Sequence, residues 1–90
     1  MYFHSLELFG DGSFSRGVAR GGLHAGPILS RKSVPNFDIR DADVLDWLIH
    51  MVSRERVMWI FIEVRGSSRN TLRTILWLVS FCAKHGVTSS

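Results

Sequence analysis

A continuous apolar run in the second half of the chain constrains the fold more than any other feature. All six residues of Val57–Ile62 are apolar, and β-branched and aromatic side chains predominate. A half-buried strand would alternate apolar and polar residues, so the absence of alternation predicts a strand that is covered on both faces. Such strands are typical of parallel sheets, whose crossover helices pack on the sheet faces.

Helical patterns flank this run on both sides. Residues 41–54 place Val44, Leu45, Leu48, Ile49 and Val52 on one stripe, with aspartates in the first turns, which predicts an amphipathic helix. Residues 70–85 repeat the pattern and end before Gly86.

The N-terminal half has the same alternation of elements. Residues 2–9 are predicted to form a strand, which stops at a Gly-Asp-Gly turn at positions 10–12, and a short helix follows over 13–20. Residues 24–29 form a short apolar segment containing Pro27. Since proline cannot donate to a ladder, this strand should begin at Pro27 or lie at a sheet edge.

The order of elements predicts an α/β fold, a partial Rossmann-like parallel sheet of about three strands with flanking helices. We expect one truncated domain over residues 1–90, because a doubly wound sheet normally continues with further strands. An open sheet edge would then be available to a second copy or to another protein.

Charge and cysteine content narrow the function classes. Eleven basic and eight acidic residues give a net charge of +3, but the arginines are spread along the chain, so a polyanionic partner is permitted and not required. The single cysteine, Cys82, excludes an internal disulfide and fits a reducing compartment. No apolar run approaches the ~20 residues of a membrane span. We expect a soluble intracellular protein, cytoplasmic or nuclear, with no membrane partner.

The glycine turn stands in a longer context. Residues 7–16 read ELFGDGSFSR, residues 36–39 read NFDI, and residues 56–62 read RVMWIFI. In this order the segments resemble the cofactor motifs and the fourth-motif strand of cytosine-C5 DNA methyltransferases and their divergent relatives. The resemblance covers about residues 6–85.

This resemblance implies a cofactor, S-adenosylmethionine, and a set of residues that contact it. Gly10 and Gly12 would face its methionine part, with Phe9 beside them. Glu7 would stand near its amino group, and Asp38 near its adenine or ribose. The chain departs from the family in a turn one residue shorter and in Ser30, near the place of the acidic residue that holds the ribose hydroxyls.

The resemblance also implies that catalysis is missing. The family places its nucleophilic cysteine in a Pro-Cys pair beyond the fourth-motif strand, and residues 63–69 contain neither residue type. Cys82 falls within a predicted helix, where a cysteine is usually a small packed hydrophobe. We therefore expect no catalytic residue and no metal site. The interpretation is a degenerate methyltransferase-like domain that retains weak S-adenosylmethionine binding without methyl transfer.

Two alternatives remain open. One is a small non-catalytic interaction module that pairs through its incomplete sheet, and the other is a fragment of a larger nucleic-acid methyltransferase. Arg65 and Arg69 flank serines before a predicted helix N-terminus, a pattern that can bind nucleic-acid phosphates.

Overall fold

The sheet is parallel and helices pack against it. A computed structural model describes residues 2–64 and 68–89. The elements are β1 (Phe3–Leu8), α1 (Ser13–Arg20), β2 (Ala25–Leu29), α2 (Ala42–Ser53), β3 (Val57–Ile62), α3 (Arg69–Lys84) and β4 (Thr88–Ser89). The strands follow the order β2-β1-β3-β4, and each neighbouring pair is parallel. The predicted α/β class with a Rossmann-like arrangement is confirmed.

The sheet has four strands where the sequence predicts about three. The additional strand, β4, pairs Thr88 with Trp59 and Ser89 with Ile60. Two polar residues carry no recognisable strand pattern, and they become a strand because α3 returns the chain alongside β3.

The core lies on the sheet face that α2 and α3 cover. Leu6 and Leu8 of β1 and Ile60 of β3 are completely buried there. They meet the apolar stripes of the two helices, whose buried residues are Leu48, Met51, Val52, Ile75, Leu78 and Cys82. No helix within residues 2–64 and 68–89 combines the length and apolarity needed to cross a bilayer.

β3 departs from its predicted burial on both faces. Val57, Ile60 and Ile62 are buried, but Met58 is 56% exposed and Trp59 is 40% exposed. The helix on the second face, α1, packs on β1 and β2 and reaches β3 through Phe14, which stacks on Phe61 at 4.6 Å. The first half of β3 is therefore less covered than its composition predicts.

β2 lies at the sheet edge, as its proline predicts. Ser5 pairs with Ala25 and Glu7 pairs with Ile28, so β2 contains one more residue than β1 over this interval. The register shift falls at Gly26 and Pro27, where a bulge accommodates the missing backbone N–H.

Alanine substitutions in α3 should distinguish the buried face of the helix from its exposed face. Leu78 is fully buried and Leu76 is 67% exposed in the same helix. We expect Leu78→Ala to lower the free energy of unfolding by about 3 kcal/mol and Leu76→Ala to change it by less than about 0.5 kcal/mol. Urea unfolding followed by circular dichroism measures both, and equal losses would contradict the helix orientation.

Candidate functional site

A buried carboxylate joins β1 to the glycine turn. Glu7, near the end of β1, is only 1% exposed. Its Oε2 accepts a hydrogen bond from the Gly12 N–H at 2.7 Å, and its Oε1 accepts from the N–H and the hydroxyl of Ser15, both at 2.9 Å. A buried charge is costly unless it is hydrogen-bonded, and these three donors meet that requirement.

The turn is shaped around this carboxylate. A methyl group at Gly10 would overlap Oε2 of Glu7, so only glycine permits the close approach. Gly12 has φ 94°, in the left-handed region that favours glycine, and it is the N-cap of α1. Phe9 also has a positive φ, 66°, at the start of the turn.

Three amides at the start of α1 are satisfied from within the protein. The amides of Gly12 and Ser15 bind Glu7, and the amide of Ser13 donates to Asp11 Oδ1 at 2.9 Å. The backbone and hydroxyl hydrogen bonds of Ser13 hold the pKa of the Asp11 carboxyl below its usual range. Helix N-terminal amides commonly bind phosphate or carboxylate ligands, but here protein carboxylates already occupy these three.

A cavity of about 550 Å³ opens at the carboxyl ends of the strands. Its walls come from four segments: the turn after β1, the residues directly after β2, the loop before α2 and the start of α3. The lining residues are Phe9, Gly10, Asp11, Ser30, Arg31, Lys32, Phe37, Asp38, Ile39, Arg40, Ser68 and Thr71. This edge is where open α/β sheets bind ligands, and the volume falls within the range of small-molecule sites.

The apolar part of the cavity lies next to the core. Phe37 and Ile39 are almost fully buried, and the ring of Phe37 meets the ring of Phe9 edge-on at 5.5 Å. Phe9 is partly exposed, so its ring offers most of the surface on which a flat aromatic ligand could pack.

Asp38 carries the best-defined polar contacts of the cavity. Arg40 donates from Nη2 to Asp38 Oδ2 at 3.0 Å and from Nε to Oδ1 at 3.2 Å, and its backbone N–H donates to Oδ1 at 2.9 Å. These bonds from Arg40 hold the pKa of the Asp38 carboxyl below its ordinary value. The pair is partly open to solvent, with side-chain exposures of 49% for Arg40 and 39% for Asp38.

Ser30 is the buried polar residue of the lining. It is 7% exposed, and its hydroxyl has no hydrogen-bond partner among the residues that the structure describes. Its carbonyl accepts from the amides of Ser33 and Val34, which turns the chain at the end of β2. Arg31 and Lys32 follow on the surface of this turn.

The start of α3 closes the remaining side of the cavity. Ser68 caps the helix by accepting from the Thr71 N–H at 3.2 Å, and its hydroxyl donates to Thr71 Oγ1 at 3.0 Å. Arg69 is exposed, whereas Arg65 lies outside the described residues, so the proposed nucleic-acid contact through both stays a prediction.

The predicted cofactor residues separate into two groups. Phe9, Gly10 and Asp38 line the cavity, whereas Glu7 and Gly12 bind each other behind it. The sequence interpretation missed Arg31 and Lys32 and the apolar wall. Their signal is positional, because residues that directly follow the strands of a parallel sheet collect at the same edge.

Cys82 lies on the buried face of α3, in the last turn of the helix. It is completely buried, and burial raises the pKa of its thiol to about 11.

No group of three histidine, cysteine, aspartate or glutamate side chains within residues 2–64 and 68–89 is arranged to hold a metal ion. The rings of His4 and His24 do lie 6.0 Å apart, and the His24 N–H donates to Nδ1 of His4.

Removing the charge of Glu7 should destabilise the domain. In Glu7→Gln, the new amide group brings a donor toward backbone N–H groups that need an acceptor, so we expect a loss of about 1–3 kcal/mol in the free energy of unfolding. Glu55→Gln, the same change at an exposed position, is the control and should have little effect. Equal stabilities of the two variants in urea unfolding would show that Glu7 does not organise the turn.

The buried thiol should be unreactive in the native state. We expect iodoacetamide at pH 8 to label Cys82 at least about 100-fold more slowly in the folded protein than in urea, because the thiolate is the nucleophile and burial disfavours it.

The pKa of Cys82 is raised from 9.0 to about 11, so the folded state keeps this proton longer than the unfolded state. The contribution of this thiol to the free energy of unfolding is therefore constant below pH 9 and decreases between pH 9 and 11. The stability difference between the unmodified chain and Cys82→Ala should narrow across that interval.

Comparisons with protein-family models, with curated proteins and with solved structures return no match for this chain. The resemblance to cytosine-C5 DNA methyltransferases therefore rests on the residues that carry it and stays a prediction. The cavity and its position at the sheet edge are the observations from which a function can be inferred.

Proposed function

We propose that the chain is a ligand-binding domain that holds S-adenosylmethionine, or its demethylated form, weakly in the cavity and transfers no methyl group. One observation carries the proposal. The cavity lies at the carboxyl edge of a parallel sheet, beside the glycine turn, and Phe9, Gly10 and Asp38 line it. These are three of the five residues that the family resemblance assigns to the cofactor.

The lining suits the adenosine part of such a ligand. The adenine ring would pack mainly against Phe9, the partly exposed member of the apolar wall that Phe37 and Ile39 complete. The Asp38 carboxylate would accept a hydrogen bond from the adenine amino group or from a ribose hydroxyl. It has acceptor capacity left for this bond after its hydrogen bonds with Arg40.

The methionine part would meet a different residue from the one expected. Both oxygens of Glu7 accept hydrogen bonds from the turn and from Ser15. Glu7 would therefore position the turn, and other residues would contact the ligand. Asp11 is exposed and lines the cavity, so its carboxylate is available to an ammonium group there.

The absence of methyl transfer is proposed on chemical grounds. C5 methylation needs a thiolate that adds to the base, and residues 63–69 after β3 contain no cysteine. Cys82 is buried within α3 with a raised pKa, which makes it unsuitable as a replacement.

Calorimetric titration of the purified chain with S-adenosylmethionine and S-adenosylhomocysteine tests the proposal. We expect weak binding that Asp38→Asn reduces about tenfold, because a charged hydrogen bond to the ligand is lost. Asp46→Asn removes the same charge on the exposed side of α2, outside this cavity, and should bind like the unmodified chain. No heat and no thermal shift at millimolar ligand would overturn the proposal, and methylation of DNA by the chain would overturn its second half.

A second candidate function is supported by exposed apolar side chains. Met58 and Trp59 of β3 and Leu76 and Trp77 of α3 are each at least 40% exposed. Exposed apolar surface of this kind is common at protein interfaces, which favours an interaction module. Size-exclusion chromatography with light scattering tests self-association, and a mass of 10.2 kDa at every concentration would exclude it.

A further inference from the structure

We propose that the end of the cavity next to β2 binds a phosphate group on the ribose of an adenine nucleotide, through Arg31, Lys32 and the hydroxyl of Ser30. The inference rests on the proposed function in one respect, that the cavity takes an adenosine. It goes further by proposing that the cavity accepts adenosines that carry a phosphate, which S-adenosylmethionine lacks, and by naming the residues that bind this phosphate.

Residues 30–32 lie at the carboxyl end of β2 and line the cavity. Ser30 directly follows β2, the strand that neighbours β1 at the sheet edge. In dinucleotide-binding α/β folds, an acidic residue near this place holds the ribose hydroxyls, whereas an arginine there accommodates a 2′-phosphate. Residues 30–32 supply a hydroxyl and two cations and no carboxylate.

The side chains of Arg31 and Lys32 are available to a ligand. Arg40 is held by Asp38 at 3.0 Å, but neither Arg31 nor Lys32 forms a hydrogen bond or an ion pair with the described residues. The field of Arg31 does reach the cavity. After the hydrogen bonds from Arg40, its charge also contributes to the lowered pKa of Asp38.

The buried hydroxyl of Ser30 has no hydrogen-bond partner among the described residues. A buried polar group without a hydrogen bond is unfavourable and needs an explanation, such as a ligand or a water molecule that is bound in use. Ser30 is part of the cavity lining, so a rotation about its χ1 bond would let the hydroxyl donate to a phosphate oxygen.

A phosphate would find few free amides at the start of α1. The amides of Gly12, Ser13 and Ser15 at the start of α1 are taken by Glu7 and Asp11. A 5′-pyrophosphate would therefore lack most of the amide donors that the helix after β1 usually offers, whereas a phosphate at the ribose 2′ position would meet Arg31 and Lys32. The geometry favours a 2′-phosphorylated adenosine over a 5′-phosphorylated one.

Titrations of the full chain with adenosine, 2′-AMP, 5′-AMP and inorganic phosphate at low salt test this assignment. We expect 2′-AMP to bind at least about tenfold more tightly than each of the other three. The preference should vanish in Arg31→Gln/Lys32→Gln. It should persist in Arg20→Gln/Arg54→Gln, which loses the same charge at exposed positions outside the cavity.

Ser30→Ala separates ligand binding from folding. Without ligand, the variant should melt at the same temperature as the unmodified chain or at a higher one, because a buried hydroxyl without a hydrogen-bond partner is removed. Its affinity for 2′-AMP should fall several-fold, while its affinity for adenosine should not change. Equal losses for both ligands would assign Ser30 a purely structural role and overturn its part in the site.

The outcomes keep this inference distinct from the proposed function. Binding of adenosine and S-adenosylhomocysteine without a preference for 2′-AMP would overturn the phosphate site and leave the proposed function intact. A 2′-AMP preference that depends on Arg31 and Lys32 supports the site even where S-adenosylmethionine does not bind. Binding of none of these ligands would overturn both.

Discussion

The carboxylate of Glu7 is the interaction on which the N-terminal half of the fold depends. It is a charge in a central strand, and without partners its burial would cost several kcal/mol. Three donors from the turn and from α1 compensate it. The helix they fix is only eight residues long and has a glycine at position 17, so it would be marginal in isolation. The hydrogen bonds to Glu7 attach it to the sheet.

The same bonds change what a glycine turn can do. In nucleotide-binding folds such a turn leaves backbone amides free for the ligand. Here the amides of Gly12 and Ser15 face a protein carboxylate, so the turn contributes a wall to the cavity and little binding energy for an anion. Selectivity for a ligand must then come from the neighbouring strand ends, where Asp38 and the residues after β2 present their side chains.

Local patterns predict the fold better than the site. The helices α2 and α3 and the strand β3 follow from apolar spacing, and the edge position of β2 follows from Pro27. β4 escapes prediction because it exists only through pairing with β3. The role of Glu7 could not be predicted from the sequence, because its hydrogen-bond donors lie five and eight positions further along the chain. They approach Glu7 only when the turn is formed. The cavity draws on four separate segments, so its composition depends on topology.

The bulge at Gly26 and Pro27 has a consequence for how the sheet can grow. A strand of a foreign chain adds to an exposed edge by forming a regular ladder of backbone hydrogen bonds. The β2 edge is irregular at its centre, and Pro27 has no N–H to donate, so it is a poor template for such a ladder. The bulge therefore protects this edge of the sheet against pairing with a further strand, and at the opposite edge β4 offers only two residues for pairing.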